Sequence, residues 1–432
     1  MSIKSTDVAI IGAGISGLAC AANIENRDVT AFEKHNYIGG LCHSFSIDGF
    51  TFDTAVHLSF TKIDEAIEFF HTNPMIKHKP LSFNYYKNIW LKHPFINNLF
   101  PLANEEKYEC LTAYVKREEK KEITNYADWL KSSYGEAFYE KFYKVYTEKY
   151  WAVMPNEMST EWIGNRLANT NIDKILYGML FNETGNDYYA NEMFYPKSSG
   201  YESVLAPLLP KVNVNLEYEV EKIDIRDKTI HFSNGEGVRY KKLISSLPLP
   251  QLVQCTKNVP KEVALSASKL KATAMSLVSV GFNKPNIGKH LWFYIYDKDI
   301  FAARVNSPSV KNPNNVPEGC SSLQFEIYSL DNTAKDKQTV LDNVRYAIEK
   351  MQICNPEDIL FMDYRYIPYA NVIFTDNILG NREKVLTFYN EHNVSTIGRF
   401  GEWDYLWSDQ SYVSGINEAK KINKQREGDT DV

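Results

Sequence analysis

Closely spaced glycines near the start of the chain would bring its backbone near a ligand. Gly12, Gly14 and Gly17 follow one short apolar segment and precede another. Gly12 allows a tight turn, Gly14 lets the backbone approach a pyrophosphate without a Cβ in the way, and Gly17 lets a helix pack closely on a strand. The unpaired N–H groups and positive dipole end of that helix attract phosphate. The spacing therefore predicts a dinucleotide site.

An acidic residue and a second pair of glycines extend this site. Glu33 follows the next apolar segment, where its carboxylate can accept hydrogen bonds from a ribose diol and repel a 2′-phosphate. Gly39 and Gly40 then give a second close approach of the backbone. This pair resembles the GG element of flavoproteins of the glutathione-reductase-like class, which includes amine oxidases, protoporphyrinogen oxidases, phytoene desaturases and UDP-galactopyranose mutases. The resemblance implies that the cofactor is FAD rather than NAD.

These residues need a strand–turn–helix–strand unit to position them, and the flanking sequence predicts one. Residues 7–11 and 29–32 are short, apolar and β-branched, as is typical of buried strands, and residues 18–24 are typical of an apolar helix. Strand patterns between residues 212 and 247 and at 394–397 are expected to return the chain to the same sheet. The predicted fold class is α/β, with a Rossmann-like FAD domain of the glutathione-reductase-like class.

Two further regions complete the predicted architecture. Residues 105–167 carry aromatic and apolar side chains at helical spacing, which predicts a helical insert with a packed core. Alternating patterns between residues 274 and 328 predict an antiparallel sheet that forms one wall of a substrate cleft. The predicted domains are residues 1–75, 196–255 and 390–425 for the discontinuous FAD domain, 76–195 for the mainly helical insert, 256–389 for the antiparallel-sheet substrate domain and 426–432 for a disordered tail.

Composition argues against several functional classes. The 432 residues carry a net charge of −6, which gives the protein as a whole no electrostatic footprint for nucleic acid. The six cysteines are scattered without paired spacing, which argues against a zinc site or a disulfide framework and fits reduced thiols. No secretion-signal pattern opens the chain, and no segment has the apolar length of a membrane span. We expect a cytoplasmic protein without a metal site, and the sequence leaves its oligomeric state open.

Longer motifs are similar to those of one flavoprotein family, over nearly the whole chain. Residues 49–60 (GFTFDTAVHLSF) are similar to a family loop that lies beside the flavin, and residues 94–98 (PFINN) are similar to the family's PFQNN. Residues 150–166 are similar to its WAV…W-x-G-x-R segment, and residues 398–411 to the GR-x-G-x-W-x-Y…NQ-x-x-S segment that closes over the flavin. Together these motifs resemble UDP-galactopyranose mutases, more closely the eukaryotic-type branch and its bacterial relatives.

This resemblance implies roles for individual residues. Arg166 and Arg304 are implied to bind the substrate diphosphate, which a pair of arginines can clamp through bidentate hydrogen bonds. Arg304 also lies in an otherwise apolar strand, where an unpaired charge is costly. Tyr369 and Tyr405 are implied to add neutral donors, and His57 is implied to lie against the flavin ring. Each of these residues has a structural alternative, namely a helix-surface or core position that contacts no ligand.

The expected site includes further residues, grouped here by role. Catalytic roles are implied for His57, Arg166 and Arg304. Substrate contacts are implied for Asn97, Trp151, Arg166, Trp292, Tyr294, Arg304, Tyr369 and Tyr405. Cofactor contacts are expected at Gly12, Gly14, Ile15, Ser16, Gly17, Glu33, Lys34, Gly39, Gly40, Leu41, Val220, Gly398, Arg399, Asp409, Gln410 and Ser411.

The activity that the resemblance implies is that of an FAD-dependent nucleotide-sugar mutase. Such an enzyme interconverts pyranose and furanose rings through an adduct between the sugar and N5 of the reduced flavin. It would serve cell-surface polysaccharide or related sugar biosynthesis, and NAD(P)H is a candidate electron donor. One alternative is an FAD-dependent oxidoreductase, such as an amine-oxidase-like oxidase, desaturase or redox-epimerase, that acts on a nucleotide sugar or another small molecule. The other is a flavin-containing binding protein without turnover.

Several positions depart from the family's pattern. Ala55 and Val56 replace glycines that precede the family's histidine, where glycine would let the loop shift with the flavin redox state. Ile96 replaces a glutamine that contacts the uracil side of the substrate. Asp409 replaces an asparagine near the flavin, and a carboxylate there would raise the cost of an anionic reduced flavin. These replacements keep open both a mutase for another nucleotide sugar and a relative with redox chemistry.

Overall fold

The computed structural model describes residues 3–118, 120, 122–164, 166–167, 170–182, 185, 190–198 and 200–427. Asn165, within the W-x-G-x-R motif, and residues 428–432 of the expected tail lie outside the described residues. The final helix extends to Glu427, so residues 426–427 of that expected tail are helical.

The described chain contains runs of strands and runs of helices as well as alternating elements. The strands are β1 (Ile3–Ile11), β2 (Val29–Phe32), β3 (Ser44–Ile47), β4 (Phe50–Asp53), β5 (Met75–His78), β6 (Ser82–Tyr86), β7 (Ile89–Lys92), β8 (Met193–Pro196), β9 (Val214–Asn215), β10 (Val220–Asp224), β11 (Thr229–Phe232), β12 (Gly237–Ser245), β13 (Lys271–Phe282), β14 (Trp292–Ile295), β15 (Arg304–Asn306), β16 (Ser321–Ser329), β17 (Ile359–Ile373) and β18 (Val394–Thr396). The α-helices are α1 (Ile15–Asn23), α2 (Asp64–Phe70), α3 (Asn104–Val115), α4 (Tyr126–Tyr134), α5 (Glu136–Phe138), α6 (Lys144–Tyr150), α7 (Ile172–Leu180), α8 (Leu249–Cys255), α9 (Lys261–Ser268), α10 (Pro308–Lys311), α11 (Lys337–Lys350), α12 (Ile378–Glu391), α13 (Gly398–Gly401) and α14 (Ser408–Glu427).

The sheet around β1 confirms the predicted Rossmann-like arrangement. Strands β9, β2, β1, β12 and β18 are neighbours in that order and are all parallel, while β11 and β10 extend the sheet from β12 in antiparallel fashion. Val8, Ala9 and Ile10 of β1 are fully buried, as expected for a parallel strand that is covered on both faces. The chain returns to this sheet through β9–β12 and β18, as the sequence predicts.

The other large sheet contains the predicted antiparallel strands, with two additions. Its order is β17, β13, β16, β15, β14, β6 and β7, and its pairs are antiparallel except for the parallel pair of β14 and β6. Strands β6 and β7 come from the segment expected to be mainly helical. Lys87 and Asn88, with φ of 47° and 65°, make the tight turn between them, and this residue pair lacks the glycine of the usual hairpin signal. The long strand β17 was also not predicted from the sequence.

One strand of this sheet buries polar side chains on one face and apolar side chains on the other. Leu323 and Phe325 of β16 belong to an apolar cluster. Ser322, Gln324 and Glu326 point to the opposite face, and each is 0% exposed. Alternation of this kind usually leaves the polar face in water, so its burial requires internal hydrogen-bond partners.

We expect ordered water within this buried polar face. Asn306 is the cross-strand neighbour of Gln324. Within the described part of the chain, neither amide atom of Asn306 has a hydrogen-bond partner, nor do Oε1 of Gln324 and Oγ of Ser322. Leaving such a group unpaired costs about 1–3 kcal/mol, and water commonly fills polar sites of this kind. A high-resolution crystal structure should show water density between Asn306 and Gln324, and a dry site with unchanged side chains would contradict the expectation.

Candidate functional site

A cavity of about 540 Å³, here called the central cavity, runs from the turn after β1 to the wall of the second sheet. It brings together most of the residues that the sequence singles out, from segments far apart in the chain. Those that line it are Gly12, Gly14, Ile15, Ser16, Glu33, Lys34, Gly39, Gly40, Leu41, His57, Val220, Trp292, Tyr294, Arg304, Tyr369, Arg399, Tyr405, Asp409 and Ser411.

The glycines at the first end of the cavity have different physical tasks. Gly12 has a φ of +95°, and a Cβ there would lie 2.2 Å from Oγ of Ser246. A Cβ on Gly17 would lie 2.0 Å from the carbonyl oxygen of Gly12, so this position requires glycine for helix–strand contact. A Cβ on Gly14 would meet no atom closer than the carbonyl oxygen of Gly39, at 3.9 Å. Gly14 therefore leaves open space that a bound group could occupy.

The first turn of α1 and Glu33 complete this end. Gly14 is the N-cap of α1 and offers no side-chain cap, and the first turn contains no acidic residue. The helix therefore presents its positive end to the cavity, where phosphate would be stabilised. Glu33 accepts hydrogen bonds from the backbone N–H of Ala13, at 2.9 Å, and of His35, at 3.1 Å. The carboxylate thus fixes the turn as well as lining the cavity, and these residues fit a dinucleotide.

At the other end, arginines surround one tyrosine. The guanidinium groups of Arg166 and Arg399 each lie 4.8 Å from the centre of the Tyr405 ring, and Nη2 of Arg166 donates to the Tyr405 carbonyl at 2.9 Å. The Tyr405 hydroxyl lies 3.5 Å from that of Tyr150, and the Arg304 guanidinium lies 5.5 Å from the Tyr150 ring. Burial raises the pKa of Tyr405, so its phenol stays neutral. The arrangement can hold an anion through charged and neutral donors.

Arg304, whose charge would be costly if unpaired in its apolar strand, has a partner within the protein. Its Nε donates to Oε2 of Glu326 at 2.5 Å, and its Nη2 donates to the hydroxyl of Tyr328 at 3.2 Å. Although burial opposes the charge, the carboxylate of Glu326 holds the pKa of Arg304 above its ordinary value. Arg304 and Glu326 are direct cross-strand neighbours, a pairing that depends on the register of β15 and β16. Sequence alone does not give that register.

His57 lies on the cavity wall as a neutral imidazole. Its ring stacks on Tyr201, with ring centres 4.7 Å apart, and its Nδ1 lies 2.9 Å from the carbonyl oxygen of Ala55. Because a carbonyl only accepts, Nδ1 carries the proton and Nε2 is left as an acceptor. Burial lowers the pKa of His57 to about 4, so the ring is uncharged at neutral pH.

We expect this histidine to make stability depend on pH. Between about pH 6.5, the ordinary pKa of histidine, and pH 4, the unfolded chain binds a proton that folded His57, with a pKa of about 4, does not. The free energy of unfolding should therefore fall as the pH falls through that window. His93 and His290 also have pKa values lowered to about 4 by burial. The contribution of His57 is therefore obtained by comparing the pH dependence of a His57 variant with that of the unsubstituted protein. Denaturant unfolding of His57→Asn should give a shallower pH slope than the unsubstituted protein, and equal slopes would exclude this contribution.

Some expected substrate residues do not line the central cavity. Asn97 is buried and accepts a hydrogen bond from Oγ1 of Thr170. Trp151 is also buried and lies behind Tyr405, with ring centres 5.2 Å apart. Arg166 likewise reaches the site through the backbone and ring of Tyr405. In this structure these residues support the wall, and direct substrate contact by any of them stays a prediction.

Gly17, Gly398 and Gln410, which are expected cofactor residues, are also absent from the lining. A Cβ on Gly398 would lie 2.3 Å from Oγ of Ser16, so this glycine allows α13 to approach α1. Oε1 of Gln410 accepts a hydrogen bond from the backbone N–H of Trp407 at 2.9 Å. Gly398 and Gln410 both shape the segment that borders the cavity.

The cavity wall also includes residues that the sequence analysis did not select. Tyr328 carries the clearest overlooked signal, because it lies two residues beyond Glu326 and so on the same face of β16. The others come from helices α6 and α8, strands β13 and β17 and connecting loops, and three of them lie within the motif segments at 49–60, 150–166 and 398–411. These additional residues include Phe60, Tyr150, Glu219, Gln251, Met275, Tyr328, Tyr366, Asn371 and Trp407.

Other kinds of site are not evident in the described ranges. No cluster of His, Cys, Asp and Glu side chains there could hold a metal ion. Each helix that the structure describes is too short or too polar to cross a membrane. All six cysteines are free thiols.

Sequence comparison recognises the start of the chain. Residues 10–72 match the family model of an NAD(P)-binding Rossmann-like domain. The 4,4′-diapophytoene desaturase of Staphylococcus aureus strain COL is 52% identical over 48 residues, which cover 11% of this chain and 10% of the desaturase. The match spans about a tenth of that enzyme's length.

Structural comparison covers the whole chain. The crystal structure of a reduced UDP-galactopyranose mutase superposes with a TM-score of 0.90 at 24% identity, covering 97% of this chain and 96% of the mutase. A cyclohexylamine oxidase from Brevibacterium oxydans superposes with a TM-score of 0.69 at 14% identity, covering 98% of this chain and 99% of the oxidase. The chain therefore has the fold of UDP-galactopyranose mutase, and the wider fold class includes oxidases.

Proposed function

We propose that this chain is an FAD-dependent enzyme that interconverts the pyranose and furanose forms of a nucleotide sugar. The observation that carries the proposal is the position of Arg166, Arg304 and Arg399 around Tyr405 and Tyr150. Arg304, Arg399, Tyr150 and Tyr405 line the same cavity as the dinucleotide-binding turn, and Arg166 contacts Tyr405 from behind the cavity wall. A phosphorylated substrate at one end and a dinucleotide at the other would account for both halves of the cavity.

The first end of the cavity fits FAD. Gly14 leaves open space, the N-terminus of α1 can stabilise the pyrophosphate, and Glu33 can accept hydrogen bonds from the ribose. Lys34, Gly39, Gly40 and Leu41 would continue this cradle. When bound and reduced, FAD would supply the nucleophile for the sugar carbon.

The protein's own part in the proposed reaction is electrostatic and positional. When the sugar separates from its nucleotide diphosphate, negative charge grows on the departing phosphate. Guanidinium groups near the departing phosphate would stabilise this negative charge. Burial raises the pKa of Tyr369 as well as that of Tyr405, so both phenols can donate without adding charge. Aromatic side chains such as Trp292 would exclude water from the sugar.

A nucleotide-sugar screen tests this proposal. FAD-loaded protein, oxidised or reduced with dithionite, would be incubated with UDP-galactose and with sugars linked to other nucleotides, because Ile96 replaces the family's glutamine. We expect thermal stabilisation by at least one nucleotide sugar and formation of its furanose isomer by the reduced protein only. Chromatography would detect the isomer. Absence of binding and of product across the whole panel would reject the proposal.

One observation favours a redox enzyme as the second candidate. The backbone N–H of Val56 donates to buried Glu326 at 3.2 Å, which anchors the loop that glycines would leave free to move. A loop that does not respond to the flavin's redox state suits an oxidase or desaturase. Substrate-dependent oxygen consumption or hydrogen peroxide formation, without an isomer, would favour this candidate.

A further inference from the structure

We infer that Glu326 is a built-in counter-anion for Arg304, which limits how tightly the central cavity holds a diphosphate. The inference rests on the proposed function, because it concerns the same anion-binding wall. Glu326 is therefore a positioning residue: it acts on a substrate through the arginine. Its effect would be to keep the site stable when empty and to weaken its hold on the anion.

The geometry places this carboxylate at the centre of a buried network. Glu326 is 0% exposed and accepts hydrogen bonds from Nε of Arg304 at 2.5 Å, from the Tyr328 hydroxyl at 2.9 Å and from the Val56 backbone at 3.2 Å. Arg304 and Tyr328 also line the central cavity, whereas Glu326 lies behind them. One side of the network therefore faces the cavity, where a ligand could bind, and the other side carries the negative charge of Glu326.

This arrangement has opposite consequences for the empty and the occupied site. Without a ligand, Glu326 compensates the buried guanidinium, whose isolation would be costly. With a diphosphate bound, the same carboxylate repels the new negative charge and shares the arginine with it. Removing the charge but not the shape of Glu326 should therefore lower the stability of the ligand-free protein and raise its affinity for the anion. A side chain that only supports the fold would not show this reversal.

The test is Glu326→Gln, which keeps the shape of the side chain and an acceptor oxygen for Arg304, while the amide nitrogen replaces the oxygen that accepts from Val56. We expect the FAD-loaded variant to unfold at a lower temperature than the unsubstituted protein. We expect its Kd for UDP and for inorganic pyrophosphate, measured by calorimetry, to fall by roughly tenfold. The thermal stabilisation produced by UDP should grow accordingly.

Asp224→Asn is the matched control. Asp224 pairs with Lys257 at 2.8 Å and lies outside the central cavity. This control should leave the Kd for UDP unchanged, whatever it does to stability. If both variants bind UDP more tightly, the gain reflects overall charge and the inference is wrong.

The outcomes separate this inference from the proposed function. If the unsubstituted protein binds neither UDP nor pyrophosphate, the proposed function has failed. If it binds them and Glu326→Gln binds them no more tightly, only the counter-anion role is rejected. Should Glu326→Gln be insoluble alone, recovery of folded protein when UDP is present would support the inference, and failure of UDP to rescue it would overturn the inference.

Discussion

A Gly14→Val variant is expected to fold normally and to be purified without FAD, as a colourless protein. Gly14 has a φ of −73° and a ψ of 177°, an extended conformation that valine adopts readily. A Cβ at this position is 3.9 Å from its nearest neighbour, the carbonyl oxygen of Gly39. The fold would therefore tolerate a Cβ, and the methyl groups of valine would extend into the space that the pyrophosphate needs. Absorbance of the purified protein and circular dichroism would measure the two properties separately.

Gly17→Ala is the contrasting control. Its Cβ would lie 2.0 Å from the carbonyl oxygen of Gly12, so the contact between helix and strand would be forced apart. We expect this variant to lose stability and cofactor together, whereas Gly14→Val loses the cofactor alone. A Gly14→Val protein that keeps stoichiometric FAD would place the cofactor elsewhere.

The dinucleotide end was predictable because its signals are local. Gly12, Gly14 and Gly17 lie within six residues of the chain, and each follows a steric rule that holds for any strand–turn–helix unit. Glu33 lies one strand further on, and parallel pairing of β1 with β2 brings it back to the same turn. Spacing along the chain therefore fixed most of this geometry.

The end of the central cavity that contains the arginines and tyrosines was less predictable, because its contacts join segments that are distant in the chain. The pairing of Arg304 with Glu326 depends on one register of an antiparallel sheet, and a slip of one residue would turn either side chain to the other face. The contact between Arg166 and Tyr405 joins segments that no local pattern connects. The resemblance located these arginines and the tyrosine, but not the buried carboxylate that neutralises one of them.

Arg304→Ala is expected to weaken diphosphate binding by about 2–5 kcal/mol, since it removes a desolvated charge partner of the anion. The substitution also leaves Glu326, which is 0% exposed, without its counter-ion. An uncompensated buried charge of this kind destabilises a protein by about 3–5 kcal/mol. Calorimetry with UDP on the FAD-loaded variant would measure the first effect, and denaturant unfolding would measure the second.

The double variant Arg304→Ala/Glu326→Gln distinguishes these two effects. Neutralising Glu326 removes the uncompensated charge, so we expect the double variant to be more stable than Arg304→Ala alone. Binding of UDP should stay weak, because the cation is still missing and glutamine cannot replace it. If the double variant recovered its affinity, loss of binding in Arg304→Ala would follow from the uncompensated carboxylate of Glu326 and not from the missing guanidinium. An Arg304→Ala protein that is folded, yellow and unchanged in affinity would remove Arg304 from the anion site altogether, leaving Arg399 as the cation on the cavity wall beside Tyr405.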